Sequence, residues 1–204
     1  ALSSAASDVY KRQFTYEAKS LPYPIDTSYY DNEKHTQADA LSVIPFMDEM
    51  NYEGLSVSGL SDGYYGLTIG GEFIGRFTAR ELERGINMAL LQNTPQYKQA
   101  MKIRQMNEER WLKERKMREF YWVEYNLMRK TGMLWACDEA AVDTLRKYRP
   151  HDIFLQWNGD LWLQYMHKGI REDCVNEQQD LVDRIYEQNK PIPLRIEIKK
   201  FTDL

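Results

Sequence analysis

Hydrophobic and polar positions alternate at two places along this chain with the period of a β-strand. Phe14–Ala18 reads as a strand that begins with no turn before it. Pro193–Phe201 reads as a closing strand with Leu194, Ile196 and Ile198 on one face. The clearest β signal is Tyr64–Thr78. There Gly70-Gly71 supplies the positive φ values of a two-residue I′ or II′ turn. That turn predicts a hairpin with Leu67 opposite Ile74 and Thr68 opposite Phe73. Thr78-x-x-Glu81 forms a capping box for a short helix reaching about Asn87, and Gly85 helps to end it. Between the first strand and the hairpin, Leu21–Ile25 is extended around two prolines, and Ala38–Met50 is a short helix interrupted at Pro45. Leu55, Val57 and Leu60 sit in a candidate strand before a turn at Ser61–Gly63.

Helical periodicity dominates the second half. Thr94-Pro95 is a good helix start, and no Pro or Gly follows until Gly132. The run to about Lys130 is rich in Met, Gln, Glu, Lys, Arg and Leu and predicts one helix of over thirty residues, roughly ten turns of chain. One seam carries Tyr97, Met101, Trp111, Trp122 and Tyr125, with Arg104, Glu108, Arg115 and Arg118 between them; a second carries Leu112, Phe120, Val123 and Leu127. Asp138–Tyr148, Asp160–His167 and Arg171–Asn189 are further helices. The expected fold is α+β: a small antiparallel β unit over residues 14–92, then a helical subdomain with a closing strand over 93–201.

Composition narrows the function classes. The chain has 204 residues, 27 Lys+Arg against 31 Asp+Glu, and a net charge of −4. No basic excess argues for a phosphate-backbone partner, so nucleic acid is not expected. Mean hydropathy is −0.66, and no apolar run approaches the roughly 20 residues of a membrane helix. Cys137 and Cys174 are the two cysteines and form no C-x-x-C pair; they are either a disulfide in a secreted chain or small hydrophobes. No metal site or cofactor is expected.

Ser3–Gln13 (SSAASDVYKRQ) back-translates, read in frame, into the adaptor of a transposon-based sequencing library. Residues 1–13 are therefore expected to be a disordered artefact, set aside as a fusion scar would be. A reading frame that opens in an adaptor opens where a DNA fragment broke, so the native protein is expected to extend further toward its N-terminus.

Candidate chemistry is sparse. Gly59–Gly63 matches G-x-S-x-G around Ser61, but a nucleophile elbow needs a strand before it and a helix after it. Here a hairpin follows, and Ser, Asp and Gly are ordinary turn residues. His35, His151 and His167 lie in no metal-ligand spacing and read as surface or turn residues. Lys98–Glu119 holds eight Lys/Arg and four Glu, the balance of a solvated, salt-bridged face. Within it, Arg104, Glu108, Trp111, Arg115, Arg118 and Trp122 form the candidate site: a partly buried polar and aromatic seam facing another domain. The aromatics Tyr121, Trp122, Tyr125, Trp135, Trp157 and Trp162 offer the alternative of a carbohydrate-binding or interaction module, provided that they form an exposed row.

Several stretches resemble one family. FTYEAKSLPYPID, ALSVIPFMDEMN, LSVSGLSDGYYGLTIGGEFIGRFTARELERGIN and NTPQYKQAMKIRQMNEERW, with WVEYN, DEAAVDTLR and NKPIPLRIEI later, are similar to the region that follows the catalytic domain in certain bacterial SGNH/GDSL-type ester hydrolases. The resemblance covers nearly all of residues 14–201. It implies an accessory C-terminal region whose partner is a missing N-terminal catalytic domain. The implied parent reaction is hydrolysis of a carboxylic ester on carbohydrate or lipid, and export from the cytoplasm is implied too. The family uses a Ser in a G-D-S block, oxyanion donors from a Gly and an Asn, and a D-x-x-H pair. This chain has no G-D-S, and Asp31 stands one position too far from His35. The catalytic residues are therefore expected upstream and the fragment alone is expected to be inactive, since acyl transfer needs a nucleophile and its base.

Overall fold

The computed structural model describes residues 11–26 and 36–201. The chain forms two compact units. The first comprises residues up to Arg104 together with those from Gln188 onward; the second is Gln105–Glu187.

The first unit is built on a four-stranded antiparallel sheet in the order β1-β6-β3-β4, with β1 Lys11–Tyr16, β3 Tyr64–Ile69, β4 Glu72–Thr78 and β6 Leu194–Lys200. The closing strand, expected within the helical subdomain, is thus a central strand of the sheet unit. Its alternation needs a flat apolar surface, and only the sheet offers one. Leu194, Ile196 and Ile198 are buried with Tyr65, Leu67 and Ile69, against Ala79 and Leu82 of a short helix, α2 (Ala79–Arg84). Residues 11–13 also depart from expectation. They extend β1, Lys11 opposite Lys199 and Gln13 opposite Glu197. Ladder hydrogen bonds join backbone groups, so an edge strand grows along its template whatever side chains it carries. Here Lys11 adds a 3.1 Å ion pair to Glu197. Residues 1–10 lie outside the described residues.

The hairpin forms as its turn chemistry demands. Gly70 and Gly71 have φ of 59° and 88°, the signature of a type I′ turn. Thr68 faces Phe73 as expected, but Leu67 faces Gly75 rather than Ile74. Ile74 is the extra residue of a β-bulge, and the bulge turns it into the core. The Thr78/Glu81 capping box is present, and α2 stops at Gly85, φ 93°. Leu55 and its neighbour Gly54 make only a two-residue strand, β2, paired with β5 (Ile86–Asn87). Ala38–Met50 resolves into a 3-10 turn at Gln37–Ser42 and a four-residue helix, α1 (Phe46–Glu49), separated at Pro45.

The long helix α3 runs from Pro95 to Val123 and continues through a π turn at Glu124–Met128. Thr94 caps it, accepting the Tyr97 N–H at 3.3 Å. Helices α4 (Glu139–Tyr148), α5 (Ile153–Tyr165) and α6 (Lys168–Gln188) complete the second unit. Asp138 and Asp152 cap α4 and α5 through their carboxylates. The Asp152 cap starts α5 seven residues before the expected Asp160, because the cap chemistry outweighs the mixed pattern that follows. The core of this unit holds Met117, Phe120, Val123, Leu127, Met128, Ala141, Leu145, Leu155 and Trp162. The α3 residues in it recur every three or four positions, which is the buried stripe of the helix.

Candidate functional site

The predicted seam on α3 is not one buried network. Arg104 lies in the first unit and pairs with Asp26 at 2.7 Å. Glu108, Trp111, Arg115 and Arg118 are exposed. Arg115 pairs with Glu119 at 2.7 Å, and Arg118 lies 3.9 Å from Glu114 and over the Trp111 ring. These are contacts along one helix face, the solvated reading of an alternating charge pattern. The reason is rotational. Phe120, Val123 and Leu127 take the core side, together with Met117, so the stripe through Trp111 and Arg115 points to water.

Among the described residues of the second unit, the buried polar side chain is Glu124, 1% exposed, a position that no motif or periodicity singles out. Its Oε1 accepts the indole N–H of Trp162 at 2.8 Å, and its Oε2 accepts the backbone N–H of Trp135 at 2.9 Å. Trp135 has φ 64°, a left-handed conformation that costs a bulky residue on the order of 1–3 kcal/mol. The carboxylate therefore holds a strained turn, and it stands at the first residue of a π turn. A buried Glu in a helix leaves no mark in apolar periodicity, because it occupies a core position as a polar residue.

The expected aromatic group divides. Trp162 is fully buried and belongs to the core. Tyr121 and Tyr125 each meet Trp135 edge to face at 6.1 and 6.0 Å, and they lie tilted to each other at 6.4 Å. Trp122 stacks on Phe154 at 5.2 Å, and Phe154 meets Trp157 at 5.6 Å. Beside that second row lies a cleft of about 420 Å³. Trp122 and Tyr148 form its aromatic walls, and Asn126, Lys130, His151 and Asp152 provide polar groups.

The other candidate chemistry resolves against catalysis at Ser61. Its Oγ accepts from Lys200 Nζ at 2.7 Å and shares a 3.1 Å hydrogen bond with the Tyr65 hydroxyl. The segment after it is the hairpin, with no helix to form an elbow. His151 and His167 are exposed residues of the second unit, and His35 lies outside the described residues. Cys137 is exposed and Cys174 buried, and both are free thiols. Cys174 donates to the Lys113 carbonyl at 3.7 Å and acts as a small hydrophobe. Among the described residues there is no His/Cys/Asp/Glu cluster able to hold a metal ion, and no helix there is long and apolar enough to cross a membrane.

Comparison with known proteins places this architecture. Residues 101–190, a span that contains the whole second unit, match the family described as the diltiazem deacetylase C-terminal helical domain. Comparison with curated protein sequences finds no match. Among solved structures, a gut microbial diltiazem-metabolizing enzyme is similar with a TM-score of 0.86 and 38% identity. The similarity covers 94% of this chain and 43% of that one, so this chain spans less than half the length of the solved enzyme and resembles it in both the sheet unit and the helical unit.

Proposed function

We propose that this chain is the accessory C-terminal region of a carboxylic ester hydrolase of the SGNH type. Its partner is an N-terminal catalytic domain that supplies the serine, its base and the oxyanion donors. The single observation that carries this reading is 38% identity over 94% of the chain to part of a diltiazem-metabolizing enzyme. The match of residues 101–190 to a deacetylase helical domain supports the same reaction class. Water would cleave the acyl–oxygen bond, releasing a carboxylic acid and an alcohol; a small acyl group such as acetyl fits the deacetylase after which the matching family is described. Export of the parent enzyme belongs to this proposal too. The hydroxyl of Ser61, bonded to a lysine and a tyrosine, has no imidazole among its bonded partners, and this favours a structural rather than catalytic role.

The test is to assay the 204-residue chain beside the full-length parent gene product, using a chromogenic acetate ester. The parent is expected to turn over the ester and to lose activity when the serine of its G-D-S block becomes alanine. The chain alone is expected to be silent. Turnover by the chain alone, or a parent with no G-D-S serine, would overturn the reading.

A further inference from the structure

The cleft beside Trp122 has the chemistry of a sugar subsite. Trp122, Asn126 and Lys130 follow at intervals of four along the end of α3 and its π turn, so all three reach the same side. The cleft is also lined by Tyr148 at the end of α4, His151 at the end of the 3-10 turn Arg149–His151, and Asp152, which caps α5.

This wall is tied to α5 by hydrogen bonds within the chain. Arg149 grips both carboxylate oxygens of Asp160 at 2.6 and 2.7 Å and donates to the Gln156 carbonyl at 3.1 Å. Gly159 makes room for this, since a Cβ there would stand 3.2 Å from the Arg149 side chain. Asp152 Oδ1 receives the N–H groups of Phe154 and Leu155 at 2.8 and 3.3 Å. Trp122 is braced by Phe154. The polar groups are not consumed by the fold. Among the described residues, neither Lys130 nor His151 has a hydrogen-bond or ion-pair partner, and Asp152 Oδ2 accepts nothing. Asn126 spends its amide on the Trp122 carbonyl and keeps its side-chain oxygen.

The geometry points to a binding site for one pyranose unit of an oligosaccharide. A pyranose presents an apolar C–H face and a rim of hydroxyls. It asks for an aromatic wall together with donors and acceptors at the edge, and this cleft offers Trp122 and Tyr148 with Lys130, His151, Asp152 and Asn126. A purely apolar ligand would leave those polar groups desolvated without partners. The inference does not depend on the ester-hydrolase reading, because the cleft lies wholly within the second unit and binding is read without any reaction.

The experiment is titration of the full 204-residue chain with xylotetraose, cellotetraose and tetragalacturonate, followed by NMR of the tryptophan indole N–H groups and by calorimetry. At least one sugar is expected to give saturable shifts of the Trp122 indole, with a Kd of about 1 mM or tighter. Trp122→Ala is expected to weaken it by about tenfold, and His151→Ala by a smaller factor. Trp111→Ala, an exposed tryptophan outside the cleft, serves as the control and is expected to bind as the parent chain does. Tyr148→Ala provides a second cleft variant in a half-exposed position, should Trp122→Ala disturb the fold. The inference is overturned if none of the sugars shifts the Trp122 indole at about tenfold above that Kd. It is also overturned if folded Trp122→Ala or Tyr148→Ala binds unchanged, or if Trp111→Ala loses as much as the cleft variants.

Discussion

Glu124 carries two obligations at once, one to the Trp162 indole and one to the Trp135 backbone. Replacing it with alanine leaves the Trp162 indole N–H and the Trp135 backbone N–H buried or half-buried without acceptors. Each orphaned donor costs about 1–3 kcal/mol, so with two of them Glu124→Ala is expected to lose roughly 2–6 kcal/mol in urea unfolding. Glu124→Gln keeps one acceptor oxygen and is expected to lose less than the alanine variant. Equal losses would show that hydrogen bonding at this position is not what matters. The opposite expectation holds for the predicted seam. Arg118→Ala removes an exposed contact to Glu114 and to the Trp111 ring, and is expected to change stability by less than about 0.5 kcal/mol. Glu108, Trp111, Arg115 and Arg118 of that seam are exposed in this chain, as a face turned toward another domain would also be. Charge between tryptophans marked Arg104–Trp122 as the polar seam, while the buried carboxylate stood one position beyond the Val123 that closes α3.

At the scale of the element, local chemistry was legible where one backbone conformation has one residue solution. The Gly70-Gly71 turn, the Thr78/Glu81 box and the Thr94 cap are all where short-range rules put them. A test of the turn separates conformation from packing. At Gly71 an added Cβ meets nothing, whereas at Gly70 it would stand 3.3 Å from Leu194 and Pro95. Gly71→Ala is therefore expected to cost about 1 kcal/mol through its positive φ alone, and Gly70→Ala more, by thermal unfolding. Less legible were the elements whose extent depends on what they touch. The bulge at Ile74 exists because the core rewards burying Ile74, a preference that turn residues cannot express. Strand β1 reaches back to Lys11 because β6 offers it a template.

At the scale of the molecule, surface charge sets the pH response. Thr78 backbone and side-chain hydrogen bonds hold the Glu81 carboxyl below its ordinary value; Arg149 does the same for Asp160, Lys113 for Glu177 and Lys11 for Glu197. Groups with a depressed folded pKa contribute stability above their unfolded value and lose it as pH falls through the folded one. Stability is therefore expected to be level near neutrality and to decline as pH drops below the ordinary carboxylate range, as urea unfolding across a pH series would read. Tyr16 and Tyr165 act at the other end. Burial is the first cause of each shift, aided by Glu53 at Tyr16 and by Cys174 at Tyr165, and both are pushed up to about 12. Their contribution is complete below the unfolded tyrosine value near 10 and fades as pH rises through about 12. Burial also pushes Tyr97 up, so tyrosinate absorbance should show Tyr16, Tyr165 and Tyr97 titrating later than the exposed tyrosines; their titration with the rest would remove the argument.

The partition into units was the least legible property. The sequence places the helical run after a β-rich half, and reads the last strand as part of whatever precedes it in the chain. In the fold, β6 returns to the middle of the first sheet, between β1 and β3. Nothing in Leu194–Lys200 names its neighbours; alternation states that a strand has one apolar face, not which sheet will cover it. By itself, the sequence determined the α+β class, the hairpin, the caps, the long helix and the family resemblance, because each rests on residues within a few positions or on a pattern read in order. Only the tertiary structure decided which face of α3 is core, that Glu124 rather than the charged seam is buried, and that Trp122, Tyr148 and His151 line one cleft. Those outcomes depend on residues far apart in the chain competing for the same space, a competition that is settled only when the helices pack.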